Sequence, residues 1–515
     1  MSDLPRLFPS VVHMLAEAAA RRPDGEAIVH GEERVSYREY LRCAAGLAWE
    51  LGRLDAWGER VAVIMSNSID ACIAMFGVHG ARAQVIPVNP AYTERELSAI
   101  LSDAAPRVVI YDVGIEDKVE PVVLELRIPH RIAVGEGARR LTDWRENAEL
   151  SLPSEFPGPD ELATLQYTGG TTGIPKGVNL THSAIATNVS QREAMMPTTE
   201  DSERVLCVLP LFHIYAISMC LHSMVYCRGT LVLMDEYRPE ELLSLMETQR
   251  ITIFAASPTL LLSLTSHQKL ASTDFSRLRL STSGSAPLPE KVLKKWEEVT
   301  GTPILEGYGQ SEAGPVISFN PWEGVRKVTS VGVATPRTQI EIVDLEEGKT
   351  VLPAGEQGEI RIRGPQVMSG YRKLPVETSK ALREGWLYTG DIGEFDEDGY
   401  LYIRGRCKEM IIVSGFNVFP REIENILFLL ADVRDAAVIG IPDEYRGELP
   451  YAFVVRAAGA ETTREQMLEH CRANLTTYKV PTEIQLVVEL PKTSVGKVDK
   501  GALGDIAKGT LSARR

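Results

Sequence analysis

A segment rich in glycine and threonine, followed by a lysine, contains the residue types best suited to bind phosphate. It has the sequence YTGGTTGIPKG from Tyr167 to Gly177 and follows the apolar stretch Leu162–Leu165. Glycines let backbone amides approach an anion, threonine hydroxyls donate to phosphate oxygens, and Lys176 adds a positive charge. The segment is not a Walker A loop, because no Gly-Lys-Ser/Thr follows at the required spacing. We therefore predict a phosphate-binding loop rather than a flexible turn.

The elements that must position this loop alternate between strand and helix patterns through about the first 300 residues. Such alternation predicts an α/β fold in which the sheets are mostly parallel. Ser36 with Glu39, and Thr93 with Glu96, match capping boxes that would each open a helix. The candidate strands are Arg60–Met65, Gln84–Val88, Arg107–Tyr111, Thr230–Met234, Ile251–Ala255 and Leu278–Ser281.

From about Gln339 the pattern changes to short alternating strands separated by glycine, proline and acidic turns. The strands are Gln339–Val343, Gly358–Arg363 and Gly399–Ile403. They predict a small antiparallel β subdomain over residues 338–407, which completes a large N-terminal domain of residues 1–407.

Beyond residue 407 the sequence predicts a second, compact α+β domain of residues 408–515. Its helices are predicted at Pro420–Leu430 and Arg464–Leu475, with strands around them. No repeat or low-complexity linker separates the two domains, so a short hinge is expected to join them and to limit their relative motion.

Composition narrows the classes of function. The chain has 515 residues, which is too long for one hydrophobic core, and a formal net charge of −15 without blocks of Lys or Arg. Such a chain is a poor candidate for binding nucleic acid, although local amides and cations can still hold a nucleotide. Seven scattered cysteines without a CxxC pair, and an N-terminus unlike a signal peptide, predict reduced thiols and a cytoplasmic protein.

One uncharged segment has two interpretations. Val205–Cys227 contains no Asp, Glu, Lys or Arg, so a hydropathy window could assign it to a membrane span. Pro210, His213 and His222 favour a buried strand followed by a helix instead.

Six ordered motifs make the chain resemble the adenylate-forming superfamily, which includes acyl-CoA synthetases, 4-coumarate–CoA ligases, adenylation domains of peptide synthetases and beetle luciferases. The resemblance covers nearly the whole chain, and GPQVMSGY (Gly364–Tyr371) adds a similarity to fatty acyl-CoA synthetases. The six motifs are YTGGTTGIPKG, LPLFHIYA (Leu209–Ala216), EGYGQSEAGPV (Glu306–Val316), YTGD (Tyr388–Asp391), GRCKEMIIVSGFNVFPREIE (Gly405–Glu424) and PKTSVGK (Pro491–Lys497).

The resemblance implies three catalytic residues. Glu312 would anchor Mg²⁺, because a hard cation prefers oxygen ligands. His213 would position the carboxylate of the acid or gate its cavity, whereas the other histidines are interpreted as structural. Lys497 would place its charge on the carboxylate and the α-phosphate, a contribution of roughly 10²–10³ in rate.

The resemblance also implies the residues that bind ATP and AMP. Tyr308 would lie against adenine, Ser311 replaces the threonine of many relatives, and Asp391 would accept bonds from both ribose hydroxyls, with Arg406 nearby. Ser285 belongs to the loop Ser283–Pro287, which is expected to pack along adenine. The complete expected set is Thr168, Gly169, Gly170, Thr171, Thr172, Lys176, Ser285, Glu306, Gly307, Tyr308, Gly309, Ser311, Asp391 and Arg406.

The second half-reaction of such an enzyme requires a different arrangement. By resemblance, the small C-terminal domain turns about Lys408, where many relatives carry Asp. Ser414, Gly415 and Phe416 would then line a tunnel for the pantetheine arm of coenzyme A. The acid pocket is expected to include His213, Ser283, Gly284, Gln310 and Gly332, which are small or neutral and favour an apolar acid.

The sequence therefore predicts an ATP-dependent, AMP-forming acid–thiol ligase that uses ATP, Mg²⁺ and coenzyme A and acts on a fatty or aryl acid, as a monomer or homodimer. One alternative is an acyl-AMP ligase that loads the pantetheine of a carrier protein. A luciferase-like oxygenation is more remote, because no residue marks an oxygen-activating site. A membrane transporter or nucleotide-binding protein is the alternative from another class, and its support is the Val205–Cys227 segment.

Overall fold

The structure is a computed structural model that describes residues 4–168, 175–414, 416–443, 445–493 and 498–512. The chain divides into two compact units. Unit 1 comprises Met1–Gln339 with Ile362–Leu387, and unit 2 comprises Ile340–Arg361 with Tyr388–Arg515. The boundary predicted at residue 408 concerns a hinge for motion, and it stays a prediction.

The strands in chain order are β1 (Glu26–His30), β2 (Glu33–Ser36), β3 (Arg60–Ile64), β4 (Gln84–Val88), β5 (Val108–Asp112), β6 (His130–Val134), β7 (Leu162–Thr168), β8 (Lys176–Thr181), β9 (Arg204–Cys207), β10 (Thr230–Leu233), β11 (Ile253–Ala256), β12 (Leu280–Ser283), β13 (Ile304–Gly309), β14 (Val316–Phe319), β15 (Val333–Ala334), β16 (Gln339–Val343), β17 (Gly358–Arg363), β18 (Gly370–Tyr371), β19 (Leu382–Arg383), β20 (Trp386–Phe395), β21 (Leu401–Arg406), β22 (Ile411–Val413), β23 (Phe416–Val418), β24 (Val433–Asp443), β25 (Gly447–Arg456) and β26 (Glu483–Leu486).

The helices in chain order are α1 (Val11–Arg21), α2 (Tyr37–Arg53), α3 (Ile69–Gly80), α4 (Glu94–Ala104), α5 (Glu116–Glu125), α6 (His182–Met195), α7 (Ile214–Ala216), α8 (Ser223–Cys227), α9 (Pro239–Thr248), α10 (Pro258–Thr265), α11 (Glu290–Thr300), α12 (Pro375–Ala381), α13 (Pro420–Phe428), α14 (Arg464–Asn474) and α15 (Lys500–Ser512).

Unit 1 contains two sheets whose centres are parallel, as the strand–helix alternation predicts. The first has the order β15-β14-β13-β12-β11-β9-β10-β1-β2, and the strands from β13 to β1 are parallel to their neighbours. The second has the order β18-β8-β7-β4-β3-β5-β6, and the strands from β7 to β6 are parallel. Strands β4, β10, β11 and β12 are buried at every residue, which is typical of parallel sheets covered on both faces.

Helices begin where the sequence predicts. The Ser36 hydroxyl accepts from the Glu39 amide at 3.3 Å, and a Glu39 carboxylate oxygen accepts from the Ser36 amide at 2.7 Å, so the capping box opens α2. Thr93 and Glu96 open α4 in the same way. These caps satisfy backbone donors that would otherwise lack partners at a helix start.

The uncharged segment Val205–Cys227 lies in the core of unit 1, as the second interpretation predicts. It contains the last three residues of β9, followed by α7, a π-helical segment at Ile217–His222 and α8. Among the residues that the structure describes, no helix has both the length and the apolar character needed to cross a membrane.

Unit 2 contains most of the predicted β subdomain together with the predicted α+β domain. β20 and β21 pair antiparallel, in a sheet that also contains β16 and β17. A second sheet has the order β23-β22-β25-β24, with β26 paired to β25. Its core combines residues from β22, α13, β25 and α14, including Val413, Ile423, Val454 and Met467, so these elements fold around one apolar centre.

Candidate active site

Two predicted loops of unit 1 follow the carboxyl ends of neighbouring parallel strands. β12 ends at Ser283, which lies beside Glu306 in β13, so the Ser283–Pro287 loop and the Glu306–Gln310 segment lie at one edge of the sheet. Ligands of open α/β sheets commonly bind at this edge. The strand order therefore brings together two segments that the sequence separates.

Glu306 supports this edge. Its side chain is buried, and Oε1 accepts from the Leu288 amide at 3.1 Å, which holds the far end of the Ser283–Pro287 loop. Ser285 in that loop has φ +71, a left-handed conformation that non-glycine residues adopt mainly where surrounding structure enforces it. A direct role of Glu306 and Ser285 in binding nucleotide stays a prediction.

Two of the predicted acid-pocket residues, His213 and Gly284, both lie close to Tyr215. Nδ1 of His213 accepts from the Tyr215 amide at 3.3 Å, so the histidine caps α7 and its proton belongs on Nε2 when neutral. The Tyr215 hydroxyl lies 3.0 Å from the Thr282 hydroxyl. A Cβ on Gly284 would lie 3.3 Å from the Tyr215 ring, so glycine permits the close approach.

Tyr215 was missed by the sequence reasoning, which assigned no role to it. The sequence contains a clue to this residue, because Tyr215 is aromatic and lies two residues after His213 in the LPLFHIYA motif. Burial raises the pKa of its hydroxyl, so the phenol stays protonated at neutral pH.

The remaining predicted residues of this edge lie around the β13–β14 hairpin. Tyr308 is half-buried opposite Ser318, and Ser311 opens a single helical turn that contains Glu312. Nε2 of Gln310 is a buried donor without a hydrogen-bond acceptor in the described part of the chain. Such a donor is suited to a polar ligand atom.

Two glycines there are required by close backbone contacts. A Cβ on Gly309 would lie 2.1 Å from the Pro315 carbonyl oxygen, and one on Gly332 would lie 2.0 Å from the Phe319 carbonyl carbon. Gly332 also has φ +81. Both glycines therefore let the hairpin and the following segment pack closely, while Gly307 precedes Tyr308 in β13.

The ends of the phosphate loop are held by a hairpin of β7 and β8, in which Thr168 pairs with Lys176. Gly169, Gly170, Thr171 and Thr172 lie outside the described residues. Nζ of Lys176 lies 2.8 Å from Oε2 of Glu377 and 5.1 Å from the centroid of the Tyr371 ring. The hairpin therefore directs Lys176 toward a tyrosine and an acidic residue that come much later in the sequence.

Tyr371 also contacts the predicted metal anchor. Its hydroxyl donates to Oε1 of Glu312 at 2.9 Å. Lys176, Glu312, Tyr371 and Glu377 thus form one continuous group, the edge cluster. The sequence predicts roles for Lys176 and Glu312 but for neither Tyr371 nor Glu377.

Charges and burial in the edge cluster shift the pKa values of Glu377 and Tyr371. The Lys176 ammonium, with Lys380 also in contact, lowers the pKa of Glu377 to about 2. Burial and the negative charge of Glu312 raise the pKa of Tyr371, so its phenol remains a neutral donor. At neutral pH Glu377 is therefore a carboxylate and Tyr371 a neutral phenol.

Glu312 fits the requirements of a magnesium ligand. Mg²⁺ in nucleotide sites is usually held by one or two carboxylates together with substrate phosphates and water. A carboxylate has about four acceptor positions, and the Tyr371 hydroxyl uses one of them. Across the described residues no group of three or more His, Cys, Asp or Glu side chains could hold a metal. The free acceptor positions of Glu312 are therefore suited to an ion that phosphates also hold.

In unit 2, the predicted ribose motif places a buried aspartate beside an arginine. Asp391 in β20 faces Arg406 in β21, and Oδ1 of Asp391 lies 3.0 Å from Nε of Arg406. The Asp391 side chain is 5% exposed and that of Arg406 is 54% exposed. The Thr389 hydroxyl accepts from the Asp391 amide at 3.1 Å and donates to the Ile360 carbonyl at 2.7 Å. The Thr389 bonds therefore hold the backbone at Asp391, while Arg406 contacts its buried carboxylate.

The predicted hinge and tunnel residues also lie in unit 2. Lys408 is exposed in a single helical turn after β21. Ser414 has φ +50, and its amide donates to the Arg446 carbonyl at 2.7 Å. Phe416 is 55% exposed and stacks on Tyr478. Gly415 and the predicted catalytic Lys497 lie outside the described residues, and all these roles stay predictions.

Three of the histidines interpreted as structural are buried together in unit 1. The rings of His79 and His182 are 5.3 Å apart, and His222 packs against Phe76. Burial lowers the pKa of His182 to about 3 and that of His222 to about 4. These histidines are neutral at pH 7, and none of them belongs to the edge cluster.

Comparisons with known proteins identify relatives along nearly the whole chain. Residues 15–372 match the AMP-binding enzyme family, and residues 422–497 match the AMP-binding enzyme C-terminal domain. A long-chain-fatty-acid–CoA ligase of Bacillus subtilis is 36% identical over 535 residues, which cover 96% of this chain and 95% of that protein.

Two solved structures agree with this assignment. ATP-bound MatB from Rhodopseudomonas palustris is 31% identical, with a TM-score of 0.89, and the match covers 96% of this chain and 99% of that chain. The anthranilate CoA ligase AuaEII in complex with anthranoyl-AMP is 27% identical, with a TM-score of 0.89, over 99% and 100% of the two chains. The chain therefore belongs to the AMP-binding enzyme family, as an AMP-forming acyl-CoA synthetase.

Proposed function

We propose that this acyl-CoA synthetase activates a long-chain fatty acid, with Lys176 and Glu312 holding the magnesium complex of ATP. The observation that carries the nucleotide part is the edge cluster. It joins the end of the phosphate loop to the predicted metal anchor through one tyrosine. The named relative of Bacillus subtilis supports the choice of a long-chain acid.

The segments proposed to line the acid pocket favour an apolar tail. Val205–Cys227 and Ser283–Pro287 contain no Asp, Glu, Lys or Arg. A second carboxylate on the substrate would require a cationic partner there, because a charge buried without a partner is costly. An aryl acid is the second candidate, since the structural relative with bound anthranoyl-AMP acts on one.

In the first half-reaction, a carboxylate oxygen of the acid bonds to the α-phosphorus of ATP, and the bond from that phosphorus to the bridging oxygen of pyrophosphate breaks. Lys176 and the phosphate loop would bind the phosphates, Asp391 would accept from the ribose hydroxyls, and His213 would orient the carboxylate. A bound Mg²⁺ would neutralise phosphate charge, and Glu312 would hold it. Lys497 would stabilise the charge that develops on the reacting oxygens.

In the second half-reaction, a thiol sulfur bonds to the acyl carbon, AMP departs with the carboxylate oxygen, and the thiol proton passes to solvent. Lys497 would leave and the pantetheine arm would enter past Ser414, Gly415 and Phe416, after rotation about Lys408. Coenzyme A is the proposed acceptor, and a carrier-protein pantetheine is the alternative. We also place the enzyme in the cytoplasm, as a monomer or homodimer, and its seven free cysteines support a reducing compartment.

The test is product analysis by mass spectrometry. The protein is incubated with ATP, Mg²⁺, coenzyme A and acids from acetate through long-chain fatty acids to benzoate, cinnamates and malonate. We expect long-chain acyl-CoA and AMP, with adenylation reduced roughly 10²–10³-fold in Lys497→Ala. Lys492→Ala, an exposed lysine of the same motif, is the matched control and should keep wild-type activity.

The other outcomes discriminate between the alternatives. Preferred turnover of benzoate or cinnamates would replace the fatty acid by an aryl acid. Acyl-AMP and pyrophosphate without a coenzyme A thioester, followed by loading of a holo carrier protein, would change the acceptor. Equal activity of Lys497→Ala and wild type would refute the role of Lys497.

A further inference from the structure

The edge cluster assigns a role to a residue outside the expected nucleotide set. We propose that Tyr371 is a positioning residue that orients Glu312 for the metal and restrains Lys176 for the phosphates, so that one side chain couples the two halves of the Mg·ATP site. This inference rests on the proposed function of Glu312 and Lys176.

The first part of the argument is the hydroxyl contact. Tyr371 donates to Oε1 of Glu312 at 2.9 Å, which restricts rotation of the carboxylate about its last torsion. A hydroxyl group donates this bond without adding a cation, so the negative charge of Glu312 remains available to a metal ion. A lysine or arginine in its place would orient the carboxylate equally well but would compete with the metal for that charge.

The second part is the ring contact. The Lys176 ammonium lies 5.1 Å from the Tyr371 ring centroid and 2.8 Å from Oε2 of Glu377. A lysine side chain has four flexible carbons, so two contacts reduce the conformational freedom that phosphate binding would otherwise remove. A cation over an aromatic face is also attracted by the ring quadrupole.

The backbone of Tyr371 is itself held against the phosphate-loop hairpin. Gly370 and Tyr371 form β18, which pairs with Asn179 and Val178 of β8, and the amide of the next residue donates to the Gly177 carbonyl at 2.8 Å. The backbone of Tyr371 therefore lies directly beside the strand that begins at Lys176. Packing alone would require neither the hydrogen bond from the hydroxyl to Glu312 nor the contact of the ring with the Lys176 ammonium.

The test separates the hydroxyl from the ring. Tyr371→Phe removes only the hydroxyl, and Tyr371→Leu removes both. Binding of the α,β-methylene analogue of ATP is measured by isothermal titration calorimetry, with saturating Mg²⁺ and with EDTA. We expect Tyr371→Phe to raise Kd about tenfold with Mg²⁺ and less than about twofold with EDTA. Tyr371→Leu should additionally raise Kd about threefold with EDTA.

Two controls address the specificity of the effect. Tyr111→Phe removes another phenol–carboxylate bond of unit 1, from Tyr111 to Glu120 at 2.8 Å, and should leave both Kd values unchanged. In a double-mutant cycle, Tyr371→Phe should have less than about twofold effect in a Glu312→Gln background, because the partner carboxylate is already lost.

Each other result overturns the proposal. Wild-type Mg²⁺ dependence retained in Tyr371→Phe would overturn the inference alone. An equal loss of affinity with and without Mg²⁺ would assign Tyr371 a merely structural role. A wild-type protein whose binding is indifferent to Mg²⁺ would overturn both this inference and the proposed role of Glu312.

Discussion

Glu312 in unit 1 and Asp391 in unit 2 are both predicted to bind the nucleotide, yet the structure provides them with different partners. The described hydrogen bond of the Glu312 side chain comes from the neutral phenol of Tyr371 at 2.9 Å. Asp391 contacts the charged guanidinium of Arg406 at 3.0 Å. A carboxylate with a neutral partner keeps its charge for a cation, whereas one with a cationic partner is suited to accept from neutral hydroxyls.

This difference predicts unequal costs for removing the two charges. Glu312→Gln should reduce the rate of ATP–pyrophosphate exchange about 10²-fold, because the metal loses its anionic ligand. Asp391→Asn should reduce it only about tenfold, because the amide oxygen still accepts a hydrogen bond. Radiolabelled pyrophosphate exchange at saturating acid measures both. Equal losses in the two variants would contradict the comparison.

The next prediction concerns which ligand group each carboxylate recognises. Wild-type protein should show a KM for 2′-deoxy-ATP about tenfold above that for ATP, and in Asp391→Asn the ratio should fall below about threefold. The reason is that the ribose 2′-hydroxyl would no longer donate a hydrogen bond to a charged carboxylate in this variant. Glu312→Gln is the control and should keep the wild-type ratio. Discrimination that survives in Asp391→Asn would remove Asp391 from ribose recognition.

Removing Arg406 should have a smaller effect, because its side chain is 54% exposed and exposed ion pairs contribute little. Arg406→Ala should raise the Kd of AMP less than about fivefold. The difference from wild type should shrink in 0.5 M salt, since salt screens exposed charges. Calorimetry at two salt concentrations measures it, and Arg404→Ala, the cation of β21 two residues earlier, is the control. A larger loss that is unaffected by salt would place Arg406 directly on the nucleotide.

The smallest effect is expected for the pH dependence of the Lys176–Glu377 pair. Because Lys176 lowers the pKa of Glu377 to about 2, from a usual value of 4.5, the pair contributes stability above pH 4.5. That contribution is lost only as the pH falls from there through about 2.

We therefore compare the Kd of the α,β-methylene analogue of ATP in Glu377→Gln and in wild type. The ratio of the two Kd values should stay constant within about twofold between pH 5 and 8. Fluorescence titration across this pH range provides the measurement. Glu323→Gln, an exposed carboxylate of the same unit, is the control. A ratio that changes about tenfold within the range would show that Glu377 titrates there and that Lys176 is not its stable partner.

Much of the fold could be predicted because local patterns agree with it. The strand Gln84–Val88 was predicted with its observed bounds, and both capping boxes form. The ends of other elements differ by one to three residues. The helix predicted at Arg464–Leu475 ends at Asn474, and the strand predicted at Gly399–Ile403 is Leu401–Arg406. Ends of elements depend on tertiary contacts that a local pattern does not contain.

The partners of the candidate site could not be predicted in the same way. Asp391 and Arg406 are opposite each other in a short hairpin, so a local argument could have paired them. Tyr371 and Glu312 are separated by 59 positions and lie on different elements. Glu306 is a motif residue that the sequence assigns to nucleotide binding. The structure adds a contact that the motif does not predict, because its side chain accepts from the Leu288 amide.

The amino-acid sequence by itself determined the family, the alternation of strands and helices, and the residue types of the phosphate loop, because these depend on composition and on spacing along the chain. Only the tertiary structure decided that Lys176 and Glu312 meet through Tyr371, and that Glu377 neutralises the lysine. The physical reason is that contacts over such separations are set by strand order and sheet pairing, here by β18 lying against β8.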